Sequence, residues 1–186
     1  MVFLFQPLIT DFAERATITR FERYNNNNME ELKLSSPSFV PEGWIPNRHS
    51  GYGENKSPEI RIQNITDAAV SMAITLDDLG HPIFPGFNHW LAWNLPPVNV
   101  IPQNLPKGAV NERPFHMEQG RAYGKHCYRG PRPPFNWNHR YRFTVYILDT
   151  KLKISTKSDK AALLRAMDGH ILQTGCLYGK YQRKHD

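Results

Sequence analysis

The sequence predicts a mainly β protein, an antiparallel β-sandwich with a few short peripheral helices. Several segments alternate with period two, as strands do. Fifteen prolines and twelve glycines among 186 residues favour turns and ordered loops over long helices. Strand segments do not alternate regularly with helical ones, which argues against a parallel α/β sheet. These observations together favour strands joined by proline-rich connections.

Four segments carry the strand signal. Ile60 and Ile62 alternate with polar neighbours, which predicts a half-exposed strand. Residues 69–76 are small or apolar at nearly every position, as in a strand covered on both faces. An apolar run at 90–95 ends at two prolines. The clearest strand is 139–148, where one face carries His139, Tyr141, Phe143, Val145 and Ile147.

One helix follows the strands. Ser158 is a candidate N-cap, residues 161–167 are good helix formers, and Gly169 can close the C-terminus. After this helix, 171–181 is predicted to be a last strand, broken by two glycines.

The chain divides into an N-terminal extension and one domain. Residues 1–28 end in four asparagines, and the composition then changes to a proline-punctuated pattern. We assign 1–28 to the extension and 29–186 to the domain. A chain that starts at Met29 is expected to keep the stability of the domain.

Cysteine content and hydropathy indicate a cytoplasmic protein. Cys127 and Cys176 do not make a disulfide framework, so a reducing compartment is the simpler interpretation, although one bridge stays an alternative. No apolar run approaches the ~20 residues that cross a bilayer. The apolar start at 1–5 is too short for a signal peptide. We expect no integral membrane association.

Positive charge is concentrated in one part of the sequence. The net charge is +6, and the segment 107–142 has eight basic residues against two acidic ones. Such a surplus favours an anionic partner: a phosphate, a phospholipid headgroup, a nucleic acid or an acidic protein. A solvated basic face without a partner is the alternative. Aromatic residues interleave with the arginines, as in single-strand binders, but they lie among prolines that would order a loop.

Three features combine acidic, imidazole and hydroxyl groups with rigid turns. Asp77 and Asp78 end a buried strand, His89 opens an apolar strand, and a Gly/Pro loop at 130–134 leads into His139 and Tyr141. Each alone is more typical of a structural residue, such as a turn-capping Asp or a core His. His139 and Tyr141 are two positions apart and therefore project to the same face.

Other motifs in the sequence are weaker indications of function. Gly51-Tyr52-Gly53 resembles the start of a dinucleotide fingerprint, but it has no strand before it and no helix after it, so we interpret it as a turn. The metal-binding spacings HxH, HExxH and CxxC do not occur. His116, His126 and Cys127 would bind zinc only if the fold happened to collect them. We expect neither a metal nor a cofactor.

The ordered set of motifs from Leu32 to Arg183 resembles the phosphatidylethanolamine-binding family, in its bacterial and archaeal branch similar to Raf kinase inhibitor protein. The motifs are Ser35-Ser36-Pro37-Ser38-Phe39, Gly53-Glu54-Asn55-Lys56-Ser57-Pro58, Asp78 to Pro82, His89-Trp90, Gly130-Pro131-Arg132-Pro133-Pro134 and His139-Arg140-Tyr141. The resemblance implies a cis peptide at His81–Pro82. It also implies a pocket formed by Asp78, Pro82, Phe84, His89, Gly130, Pro133, Pro134, His139 and Tyr141. Gly80 and Arg132 depart from the family pattern.

The leading functional hypothesis is non-enzymatic binding of a small anion, a phosphate or phosphomonoester headgroup, in this His/Pro-lined pocket. Imidazoles and the Tyr141 hydroxyl offer donors to a tetrahedral oxyanion. The resemblance implies that the protein modulates a kinase or protease. Whether it forms a homodimer is left open. One alternative is a hydrolase-type acid–base enzyme using Asp78, His89 and His139, although the matching motifs contain no nucleophile. The other is nucleic-acid binding through 107–142, which we do not expect.

Overall fold

The computed structural model describes residues 31–84 and 86–183. The predicted extension, 1–28, lies outside the described residues, so its boundary with the domain stays a prediction.

The strands of the described residues form two sheets in which every pairing is antiparallel. The small sheet has the order β1-β2-β5, and its strands are β1 (Lys33–Ser35), β2 (Ile60–Gln63) and β5 (Val100–Ile101). The large sheet has the order β6-β7-β4-β3-β8-β9, and its strands are β3 (Ser71–Asp78), β4 (Phe87–Leu95), β6 (Val110–Asn111), β7 (Met117–Gln119), β8 (Asn138–Leu148) and β9 (Ile171–Gln182). The predicted mainly β, antiparallel architecture is confirmed.

Two apolar clusters cover the two faces of the large sheet. One contains alternate residues of β2, β3 and β8, such as Ile60, Ile74 and Val145. The other contains Ala73 of β3 and Leu163, which belongs to the helix described below. Every residue of β3 is buried, so the prediction of a strand covered on both faces is confirmed. This double cover makes the end of β3 a rigid base for the side chains that follow.

The helical part is small. Asn47–His49 forms one 3-10 turn, and α1 spans Lys160–Met167. The predicted cap at Ser158 is wrong by one residue: the Asp159 carboxylate accepts the hydrogen bond from the Ala162 amide at 2.9 Å. Ser158 belongs to the preceding turn, where its amide donates to Ser155. No helix in the described part of the chain is long and apolar enough to cross a membrane.

The last strand is continuous, where the sequence predicted breaks at its glycines. β9 pairs with β8 along its length. A Cβ at Gly175 would lie 2.7 Å from the Leu32 carbonyl oxygen, and one at Gly179 would lie 2.7 Å from Ile45. These glycines therefore allow close packing and do not end the strand.

The cis bond expected at His81–Pro82 is not present. In residues 31–84 and 86–183 the cis X-Pro bond is Arg113–Pro114. The chain reverses between the end of β3 and the start of β4, and the Gly86 amide donates to the Asp78 carbonyl oxygen at 2.9 Å. The reversal closed by this hydrogen bond is wider than a tight turn at Pro82 would be.

Candidate functional site

Asp78 organises a polar cluster at the end of β3. It lies between β4 and β8, opposite Phe87 and Tyr141, and its exposed fraction is 2%. One carboxylate oxygen, Oδ2, is 2.8 Å from Nδ1 of His139, and the other, Oδ1, accepts from the Gly80 amide at 2.9 Å. Because a carboxylate only accepts, Nδ1 of His139 donates. Asp78 therefore fixes the orientation of the His139 ring and leaves Nε2 for another partner.

His89 approaches the same carboxylate from β4. Its Nδ1 lies 2.9 Å from the Arg129 carbonyl oxygen and its Nε2 lies 3.8 Å from Oδ2 of Asp78. Since a carbonyl only accepts, Nδ1 carries the hydrogen. Burial lowers the pKa of His89, and the Arg129 carbonyl and the Asp78 charge offset this in part. In the free protein near pH 7 the ring is therefore neutral, with Nε2 as an acceptor.

Tyr141 places a hydroxyl beside both histidines. Its ring centroid lies 5.5 Å from that of His89 and 6.4 Å from that of His139. The residue has no exposed surface, and its hydroxyl makes no hydrogen bond of normal geometry within the described residues, although the Asp78 carboxylate and the Arg132 backbone are close enough to shift its pKa. Burial and the Asp78 charge raise the pKa of Tyr141, so the hydroxyl keeps its proton. An unpartnered buried hydroxyl costs about 1–3 kcal/mol, and a bound acceptor would remove that cost.

The proline loop is anchored by the turn that follows the 3-10 helix. The Gly130 amide donates to Oδ1 of Asn55 at 2.7 Å, and a Cβ at Gly130 would lie 2.0 Å from the His49 carbonyl oxygen. The Tyr52 hydroxyl donates to the Pro133 carbonyl at 2.7 Å. The 51–53 segment is therefore a turn that supports this loop, as its sequence predicted.

Exposed aromatic rings surround the cluster. The Tyr123 ring lies 5.3 Å from His89, and the Trp137 ring is stacked 6.3 Å from His139. Tyr123 is 48% exposed and Trp137 is 45% exposed. Tyr123 and Phe135 hold left-handed backbone, with φ of 51° and 54°. This conformation is uncommon for aromatic residues and costs on the order of 1–3 kcal/mol, so the loops hold both rings there against local preference.

The structure brings together four of the nine predicted site residues, Asp78, His89, His139 and Tyr141. Gly130 and Pro133 are buried beside them in the supporting loop. The other three, Pro82, Phe84 and Pro134, are exposed on the two flanking loops. Sequence reasoning did not include Tyr123 or Trp137 in the site, although the basic segment around them was noted for its aromatic residues. It also missed the Arg129 carbonyl, for which the sequence carries no signal.

The cluster contains a carboxylate and two imidazoles, which are groups that can transfer protons. None of the hydrogen bonds that His89 and His139 make within the described residues goes to a Ser, Thr or Cys side chain. Cys127 and Cys176 are free thiols. No group of three or more His, Cys, Asp or Glu residues in the described part of the chain is arranged to hold a metal ion.

The fold agrees with what comparison with known proteins shows. The family model for phosphatidylethanolamine-binding protein matches residues 35–182. A UPF0098 protein of Pyrococcus abyssi is 41% identical over 157 residues, which cover 83% of this chain and 88% of that protein. The chain belongs to the phosphatidylethanolamine-binding protein family.

Solved structures show the same architecture. A phosphatidylethanolamine-binding protein homologue from Chlamydia trachomatis has a TM-score of 0.74 and 30% identity, and the match covers 83% of this chain and 99% of that one. Escherichia coli YbcL has a TM-score of 0.73 at 24% identity, over 83% of this chain and 100% of its own, and supports the fold alone.

Proposed function

We propose that the cluster of Asp78, His89, His139 and Tyr141 binds inorganic phosphate or a phosphomonoester group without hydrolysing it. The observation that carries this proposal is the buried Tyr141 hydroxyl, which makes no hydrogen bond of normal geometry within the described residues. The Tyr141 ring lies beside two imidazoles whose Nδ1 atoms are already engaged. A tetrahedral oxyanion would accept from the hydroxyl and from protonated Nε2 atoms.

Binding should be linked to proton uptake. Neutral His89 offers an acceptor at Nε2, whereas its protonated form donates there. An anion beside the ring favours the protonated form and therefore raises the pKa of His89, which burial lowers in the free protein. Affinity increases as pH falls from the pKa of the complex to that of the free site. It stops increasing when the phosphate itself takes up a proton.

The acid–base enzyme is the weaker proposal. Asp78 and His139 form the hydrogen-bonded pair that such chemistry uses, at 2.8 Å. Among the described residues, the hydrogen bonds of His89 and His139 include no Ser, Thr or Cys nucleophile. An assay for release of nitrophenol from p-nitrophenyl phosphate separates the two proposals, since a binding protein leaves this substrate intact.

Nucleic-acid binding receives less support because part of the basic segment is used internally. Arg140 forms a salt bridge with Glu42. Nη2 of Arg142 lies 3.5 Å from the buried Asp77 carboxylate, which Lys160 also contacts at 2.9 Å. These charges contribute less to an external field than the sequence count of 107–142 suggests.

Calorimetric titration with inorganic phosphate tests the proposal. His139→Ala removes a donor to a charged group, worth about 1.5–3 kcal/mol, which is roughly a ten- to hundred-fold loss of affinity. His170→Ala is the matched control, because His170 is half-exposed and pairs with Asp149 at the other end of the paired strands β8 and β9. Arg121→Ala tests the basic segment. Equal binding by wild type and His139→Ala would show that the site is wrongly assigned, and a large loss in Arg121→Ala alone would favour the basic face.

A further inference from the structure

Two arginine side chains contact the ring of Tyr52, beside the candidate site. The guanidinium carbons of Arg132 and Arg183 lie 5.5 Å and 4.7 Å from the centroid of the Tyr52 ring. Both arginines are exposed, and neither has a carboxylate partner within residues 31–84 and 86–183. Arg140, by contrast, is paired with Glu42. Two guanidinium groups over one ring, with no carboxylate partner in the part of the chain that the structure describes, form a favourable place for an anion.

The Arg132 side chain is held in place by its surroundings. It stands between two buried prolines, which restrict the backbone on both sides. Its aliphatic stem packs on Gly51, where a Cβ would lie 3.1 Å from both Cβ and Cδ of Arg132. Tyr52 is itself bonded to the Pro133 carbonyl at 2.7 Å. The arginine is therefore preorganised, which reduces the entropy lost when it binds an anion.

The distance from this pair to the candidate site follows from the strand register. His139 of β8 lies opposite Tyr181 of β9. The Tyr181 ring is stacked on Tyr52 with centroids 6.5 Å apart. Cross-strand neighbours on one face are roughly 5 Å apart, so these steps together place the arginine pair within roughly 17 Å of His139.

We infer that Arg132 and Arg183 form a second anion subsite, so that the preferred ligand carries a second anionic group within roughly 17 Å of the first. This inference rests on the proposed function of the first site. An extended peptide spans about 3.3–3.6 Å per residue and alternate side chains share a face, so phosphates on residues four positions apart lie on one side at roughly 14 Å. Arg132 then selects doubly charged ligands over singly charged ones.

Three synthetic peptides test the subsite by calorimetry with the full chain. The first carries two phosphoserines separated by three alanines, the second carries one phosphoserine, and the third carries two adjacent phosphoserines. Wild type should bind the first at least about tenfold more tightly than the second, because the second contact is intramolecular. The third should gain much less, since adjacent side chains of an extended peptide point to opposite faces.

Variants decide where the second phosphate binds. Arg132→Gln and Arg183→Gln should each remove most of the preference for the first peptide while inorganic phosphate binds within about threefold of wild type. Arg121→Gln, a charge-matched control, should keep the preference. A preference that survives in both test variants would overturn the subsite and leave the first site intact. If inorganic phosphate does not bind wild type, both the first site and the subsite are wrong.

Discussion

Replacing Gly80 with alanine should disturb the candidate site through a direct clash with β8. A Cβ at Gly80 would lie 2.9 Å from Cα of His139 and 3.1 Å from its Cβ. Carbon atoms pack at about 3.5–4.0 Å, so one backbone segment has to move by roughly 0.6 Å or more. Overpacking of this kind costs about 1–3 kcal/mol. Because the Gly80 amide donates to Asp78, the movement should also separate Asp78 from His139 and weaken phosphate binding.

Urea unfolding and the NMR signals of the His139 ring measure both effects. Gly86→Ala, in the same loop, is the control: no atom lies within 4 Å of its Cβ, but its φ is +78°. It should lose about 1–2 kcal/mol through backbone conformation and leave the His139 signals unchanged. The reasoning fails if Gly80→Ala unfolds with the free energy of wild type and the His139 signals do not move.

Three further predictions concern the same cluster. Tyr141→Phe should unfold with an equal or slightly higher free energy, because it removes an unpartnered buried hydroxyl, yet bind phosphate about tenfold more weakly by calorimetry. Asp78→Asn should lower the free energy of unfolding in urea by about 1.5–3 kcal/mol, since His139 loses its charged partner, and a stability equal to wild type would contradict this. The lowered pKa of His89 means that the unfolded chain binds its proton first as pH falls. Stability should therefore drop below about pH 6.5, by at most ~1.4 kcal/mol per pH unit for this group, and urea unfolding between pH 7.5 and 5 should show a smaller drop in His89→Gln.

The strands of the large sheet could be predicted because their side chains alternate. β8 was predicted from 139, one residue from its observed start at Asn138, and β3 was recognised as covered on both faces. The site groups were found because they stand at the ends of those strands. The pairing of Asp78 with His139 depends on the β3–β8 register, in which Asp78 lies opposite Tyr141. One sequence without relatives does not specify that register.

Loop conformations could not be predicted, because long-range contacts decide them. Asn55 holds Gly130 from a distant part of the chain, and the left-handed backbone of Tyr123 is contrary to its local preference. The same holds for the bond before Pro82, which is not cis. Gly80 departs from the family pattern for a physical reason: the His139 backbone leaves no room for a side chain at this position.

A crystal structure of the protein grown with saturating phosphate tests the central claim most directly. The account predicts tetrahedral density with oxygens at hydrogen-bond distance, about 2.5–3.0 Å, from the Tyr141 hydroxyl, and within about 3.2 Å of Nε2 of His89 or His139. Such density would give the buried hydroxyl the acceptor it lacks within the described residues. Density only on the exposed arginines, with nothing beside Tyr141, would contradict the claim.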